Sequence, residues 1–154
     1  MTLDLTRILA LNNAHAVELS WLEPARLSAL IDQAFFVRSV GDAEAFLLAF
    51  DQDARYGSPN FLWFRDRYDR YVYVDRIVVA PAARGRGHAG RLYRELFAEA
   101  HRKGHVRIVC EVNSDPPNPA SDAFHAALGF GEVGAATLPG GAKTVRYLER
   151  PLPG

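Results

Sequence analysis

One run constrains this chain more than any other: Val78-Val79-Ala80-Pro81-Ala82-Ala83-Arg84-Gly85-Arg86-Gly87-His88-Ala89-Gly90-Arg91-Leu92. It reads as the end of a strand, a loop carrying glycines and arginines, and the start of an amphipathic helix. Glycines allow a ligand to approach the backbone closely. The free N–H groups and positive dipole end of a new helix favour an anion there. A phosphate-bearing ligand suits such a turn.

The rest of the chain supplies enough structure for one domain spanning residues 1–154, with a single sizeable core. Leu3–Leu11 reads as a first strand, with Asn12-Asn13 as a turn. Ser20-Trp21-Leu22-Glu23 has capping-box spacing before Pro24, which predicts a helix to Gln33. Ala34–Val40 and Ala45–Phe50 flank Gly41-Asp42 as an antiparallel hairpin. Residues 51–70 show no regular period. Tyr71–Val79 is the strongest strand pattern, and Leu92, Tyr93, Leu96, Phe97 and Ala100 recur at helical spacing up to Gly104.

Val106–Val112 is a short apolar run of the kind buried on both faces. Asn118-Pro119 begins a helix that Gly129 ends. Gly131–Leu138 and Lys143–Leu148 pair across Pro139-Gly140-Gly141. The order β-α-β-β-β-α-β-α-β-β describes an α+β fold, a mixed central β-sheet flanked by helices.

Gly85-Arg86-Gly87-His88-Ala89-Gly90 matches the dinucleotide pattern GxGxxG, and Glu111 follows about twenty residues later. The geometry is wrong for it. Five residues, Pro81 among them, separate Val79 from Gly85, whereas the dinucleotide turn follows its strand almost at once. A nicotinamide-dependent oxidoreductase is thus the weaker alternative. Gly140-Gly141-Ala142-Lys143-Thr144 lacks phosphate-loop spacing and reads as a hairpin turn.

Arg84-x-x-Gly87-x-Ala89, five residues after an apolar strand, resembles the acetyl-CoA motif Gln/Arg-x-x-Gly-x-Gly/Ala of the GNAT superfamily of N-acetyltransferases. Asn118, followed by Ser121-Asp122-Ala123-Phe124-His125-Ala126-Ala127-Leu128-Gly129-Phe130, is similar to that superfamily's Asn…Ser-x-x-Phe-Tyr-x-x-Leu-Gly-Phe segment. The motifs cover roughly 71–130. The resemblance implies the GNAT-like acyl-CoA N-acyltransferase fold, with acetyl-CoA as cosubstrate and direct transfer to an amine in a ternary complex. It also implies that the backbone of Ile77, Val78 and Val79 pairs with the pantetheine arm. Backbone N–H groups of Gly85, Arg86, Gly87, His88, Ala89 and Gly90, beside Arg84, would hold the pyrophosphate, and Asn118 would contact the cofactor where central strands splay apart. Arg86 and Arg91 are the side chains expected to neutralise its phosphates.

Acetyl transfer needs an acceptor stripped of a proton, a stabilised oxyanion and an acid for the departing thiolate. The Val79 N–H is the expected oxyanion donor. Where the superfamily generally offers a tyrosine as acid, this chain has His125, which serves as acid or packs beside the cofactor. Glu111 leads as base, since Cys110-Glu111-Val112 resembles the Leu-Glu-Val setting in protein N-terminal amine acetyltransferases. Asp75 is the second candidate: strict alternation would put Tyr71, Tyr73, Asp75, Ile77 and Val79 on one face. His15 and Glu18 follow the first element, where such folds admit the acceptor, and His15 could equally cap a helix. Tyr56, Phe61, Trp63 and Phe64 line an acceptor cleft or fill the core, and His101 and His105 read as solvent-facing.

Eighteen basic residues balance eighteen acidic ones, which gives no field to draw nucleic acid or membrane. The lone Cys110 sits in an apolar strand and excludes an internal disulfide; the histidines lack metal spacing, so no metal is expected. No apolar run spans a bilayer, and no export signal is visible; a cytoplasmic location is expected. The acceptor, a small-molecule or peptide amine, is not readable, and a homodimer is left open. A non-catalytic acyl-CoA sensor is the other alternative; it would bind acetyl-CoA and turn over no amine.

Overall fold

Asp4 accepts a hydrogen bond from the Arg7 backbone N–H at 3.0 Å, and a helix begins behind it. This is α1 (Leu5–Ala14), where a strand was expected from Leu3–Leu11. Ile8, Leu11 and Asn12 are buried at helical spacing, and the expected Asn12-Asn13 turn lies within the helix. The computed structural model describes residues 3–15, 21–115, 117–141 and 143–153, so Glu18 and Ser20 lie outside the described residues. Without a side-chain cap, Glu23 precedes α2 (Pro24–Gln33), with the proline at its first turn as expected.

β1 (Phe36–Val40) and β2 (Ala45–Asp51) form the expected antiparallel hairpin. The stretch read as irregular contains a short helix, α3 (Pro59–Arg65), which buries Phe61 and Phe64. Then come β3 (Val72–Val79), a 3-10 turn (Pro81–Ala83) and α4 (His88–Arg102). β4 (Arg107–Asp115), α5 (Pro119–Ala127), β5 (Gly131–Thr137) and β6 (Thr144–Pro151) complete the described chain.

The six strands lie in the order β1-β2-β3-β4-β6-β5. β3 and β4 run parallel, and the other neighbouring pairs are antiparallel. The mixed sheet expected from the sequence is present, and it is not the doubly wound parallel sheet that a dinucleotide fold requires. Alternation along β2 sorts the core cleanly. Phe46, Leu48 and Phe50 face one way, against Ile8 and Leu11 of α1, Leu27 and Leu30 of α2, and Phe61 and Phe64 of α3. Ala45, Leu47 and Ala49 face the other way, toward Leu92, Tyr93, Leu96 and Ala100 of α4.

β3 breaks the alternation. Leu48 pairs with Arg76 and Ala49 with Val74, so Asp75 is an extra residue, a β-bulge. The expected single face Tyr71-Tyr73-Asp75-Ile77-Val79 is therefore overturned. Tyr71 and Tyr73 pack in the α1–α3 cluster, while Ile77 and Val79 pack against the α4 side. His105 departs from expectation as well: it is 5% exposed. After Gly104 its backbone N–H returns to the Ala100 carbonyl, which folds its ring under the helix end and edge-on to Phe35. His101 is exposed, as expected.

Candidate active site

β3 and β4 pair only at Val72↔Ile108 and Tyr73↔Val109. Beyond Tyr73 the bulge turns β3 away, and the two strands part. The β3 edge from Val74 to Val79 is left with backbone groups that no described strand pairs. A cavity of about 230 Å³ fills this gap. Tyr93, Ser121 and His125 line it from the α4–α5 face, and Asp75, Arg76 and Glu111 from the α1–α3 face. The cavity thus passes through the sheet.

A larger cavity, about 670 Å³, adjoins it and shares Asn118 and Ser121. Val79, Arg84, Gly85, Gly87, His88, Ala89 and Gly90 line it. Gly85 and Gly87 have φ of 80° and 77°, a left-handed conformation that L side chains rarely adopt, and Gly87 caps the N-terminus of α4. The loop is braced from the β1–β2 turn by Glu44. Its carboxylate lies 3.0 Å from His88 Nε2 and 3.6 Å from an Arg86 nitrogen. Arg91 projects outward beside Glu95 at 3.8 Å. Asn118 caps α5 by accepting the Ser121 N–H at 3.2 Å.

Glu111 is the most perturbed carboxyl described. Burial pushes its pKa up to about 8, aided by the Asp75 charge; hydrogen bonds from Tyr73 and Asn60 act in the opposite direction. Its Oε1 accepts from the Tyr73 hydroxyl at 2.9 Å and from the Asn60 amide at 3.0 Å. Oε2 is buried and has no hydrogen-bond partner among the described residues. Tyr147 in turn donates its hydroxyl to Asn60 Oδ1 at 2.9 Å.

Asp75 is occupied on both oxygens, by the Tyr56 hydroxyl at 2.6 Å and by Arg76 at 2.7 Å. Arg76 also reaches Asn12 of α1 at 2.8 Å, which ties the bulge to the opposing helix. Tyr56 therefore has a polar task as well as a packing one. Phe61 and Phe64 are core, and Trp63 stacks on Tyr147 at 4.1 Å.

His125 has both ring nitrogens engaged. Nδ1 lies 2.8 Å from the Ser121 carbonyl, which can only accept, so the proton sits on Nδ1. Nε2 then accepts from the Tyr93 hydroxyl at 3.2 Å. Burial lowers its pKa below the ordinary histidine value, which keeps the ring neutral at neutral pH. His15 caps α1, its Nδ1 donating to the Leu11 carbonyl at 3.0 Å. Burial pushes the Cys110 thiol well up, as suits a core residue rather than a nucleophile. Among the described residues no cluster could hold a metal ion, and no helix is long and apolar enough to cross a membrane.

The model of the acetyltransferase (GNAT) family matches residues 10–130. The chain belongs to that family. As a GNAT-family N-acetyltransferase, it shares its fold with many solved enzymes. The ribosomal-protein-S18-alanine N-acetyltransferase from Escherichia coli superposes with a TM-score of 0.68 at 17% identity, covering 100% of this chain and 91% of that one. The NatB acetyltransferase complex bound to CoA and MES gives 0.73 at 15% identity, over 99% and 98%. Ard1 from Thermoplasma volcanium gives 0.74 at 13% identity, over 100% and 97%. No curated protein matches the chain in sequence.

Sequence reasoning missed Asn60, Tyr147, Arg76 and Glu44 as members of the site. An asparagine within an aromatic stretch carried no periodic signal. Tyr147 read as one alternating residue of a strand, and Arg76 hid behind an alternation that the bulge breaks.

Proposed function

We propose that this GNAT enzyme transfers the acetyl group of acetyl-CoA directly to a primary amine within a ternary complex, with Glu111 as general base. One observation carries the reading: the cavity between β3 and β4 joins the glycine loop on one face to a buried carboxyl, unpartnered on one oxygen, on the other. The cofactor would enter from the α4–α5 side. Its pyrophosphate would rest on the N–H groups of Gly85–Gly90 and its pantetheine amides along the open edge of Ile77–Val79. The solved NatB complex, which shares the fold, contains CoA.

The amine would enter from the α1–α3 side. Glu111, poised near 8, matches the ~8 of an α-amine, so proton transfer between them is close to thermoneutral. The amine's proton passes to Glu111, its nitrogen bonds to the thioester carbon, and the oxyanion is held by the Val79 N–H. As the C–S bond breaks, the nitrogen gives up its second proton and the departing thiolate takes one up, so that amide and free thiol result. Asp75 is the lesser candidate for base, because both its oxygens are committed.

His125 with Tyr93 forms the polar wall where the thiolate departs. For His125 to donate there it must first take a proton at Nε2 from outside, and the lowered pKa makes that form a strong but scarce acid. The base therefore dominates the chemistry. The acceptor is an amine whose reactive end fits a cavity of about 230 Å³, either a small molecule or a peptide terminus.

The test is acetyl-CoA binding by calorimetry, followed by turnover against a panel of small amines, amino acids and peptides. Glu111→Gln and His125→Phe should each slow transfer and keep acetyl-CoA affinity. Binding without turnover of any amine would instead favour an acyl-CoA sensor.

A further inference from the structure

We propose that Asn60, in the first turn of α3, is a positioning residue for acetyl transfer: its amide ties Oε1 of Glu111 to the Tyr147 hydroxyl and leaves Oε2 to receive the acceptor's proton. This rests on Glu111 being the base.

The geometry argues it directly. Oε1 already accepts two hydrogen bonds, from Tyr73 and Asn60, which fill its lone pairs. Oε2 has none. A proton entering this carboxyl therefore has one vacant oxygen to occupy. Asn60 can serve only with its NH₂ toward Glu111, since its carbonyl there would repel the carboxylate. The acceptor-only carboxylate settles that orientation, and Oδ1 then faces Tyr147 and accepts its hydroxyl proton. The tie spans 51 residues from Asn60 to Glu111 and 87 from Asn60 to Tyr147, so α3, β4 and β6 meet at one amide.

The titration of Glu111 reports this contact. The groups facing it are Tyr73 and Asp75 from β3, Asn60 from α3 and Tyr147 from β6, with Tyr93 of α4 acting through space. Arg76 offsets the charge of Asp75, and Arg67 acts on Tyr147. The Asn60 N–H stabilises the ionised carboxyl, so its removal raises the pKa further.

The experiment follows the carboxylic-acid stretch of Glu111 by infrared difference spectroscopy across pH in the free enzyme, with Glu111→Gln identifying the band. In parallel, kcat/KM is measured against pH on one acceptor. Asn60→Ala should raise the infrared midpoint by about one pH unit, the effect of one hydrogen bond to a charged group. The alkaline-rising limb of kcat/KM should move with it, while the acetyl-CoA Kd stays the same. Tyr147→Phe, which keeps the ring on Trp63, should move both in the same direction by less, and it serves if Asn60→Ala does not fold.

A rate loss at every pH with unmoved midpoints in both variants would overturn the positioning role. A midpoint that moves while the rate limb stays would show that Glu111 is not the base, overturning that reading and the positioning role with it. Turnover of no amine in the panel of small amines, amino acids and peptides, by wild type or variant at any pH, would remove the transfer reading itself.

Discussion

Glu111 stores a conflict between stability and chemistry at a single residue. Its folded pKa is raised from 4.5 to about 8, so the folded state binds a proton that the unfolded state releases. Stability must fall as pH rises from about 4.5 to 8 and level off above. Glu111→Gln removes that slope. Unfolding in urea at pH 5, 7 and 9 should show the variant gaining on the wild type as pH rises, by up to a few kcal/mol. The same change should cut kcat by about 10²-fold or more with acetyl-CoA affinity retained. Arg76 behaves oppositely. It is 6% exposed and partners a buried Asp75, so Arg76→Ala leaves a carboxylate without its cation. A loss of about 3–5 kcal/mol is expected, measurable as a lower urea midpoint.

Two elements, the bulged strand and the glycine turn, convert an ordinary mixed sheet into a site. The bulge at Asp75 ends the β3–β4 ladder and so opens the slot, while Arg76 and Asn12 hold it against α1. In the glycine loop, Gly87→Val would place a β-branched residue at φ 77° and a side chain where the diphosphate is expected. Acetyl-CoA affinity should drop by about tenfold or more, read by calorimetry, since the left-handed region disfavours such residues. On the opposite face, β5 passes directly under Trp63 at Gly134. Any Cβ there overlaps the indole ring, so Gly134→Val must shift Trp63, which lies on α3 one turn from Asn60 and stacks on Tyr147. About 1–3 kcal/mol of overpacking is expected, with a fall in kcat larger than the change in acetyl-CoA Kd.

Across the whole molecule, the sheet has two faces that meet in one gap: helices α4 and α5 frame the face proposed for the cofactor, and α1, α2 and α3 the face proposed for the acceptor. Acetyl-CoA at a hundred times its Kd should add ~2.7 kcal/mol to folding, a rise of several degrees in Tm for a domain of this size. NADH at the same concentration should give none. At this scale much was legible beforehand. The β3–loop–α4 run, the hairpins and the Asn118-Pro119 helix start depend on glycines, prolines and caps that act over a few residues. Glu111 was named from the resemblance carried by Cys110-Glu111-Val112, and Tyr73 from an alternation that the bulge at Asp75 breaks.

The boundary between sequence and tertiary structure follows the range of the forces. Local sequence determined the glycine turn, the Asn118 cap, most of the strands and the family motifs, because turn geometry and backbone capping are satisfied within a few residues. It pointed to a strand for the first segment, wrongly, since Leu5, Ile8, Leu9 and Leu11 suit a strand or a helix until α2 and the sheet arrive to bury one face. The bulge at Asp75 and the bonds among Asn60, Tyr73, Glu111 and Tyr147 were decided only by the assembled fold. A carboxyl gains its high pKa, and an asparagine its orientation, from a dry interior built by segments up to 87 residues apart.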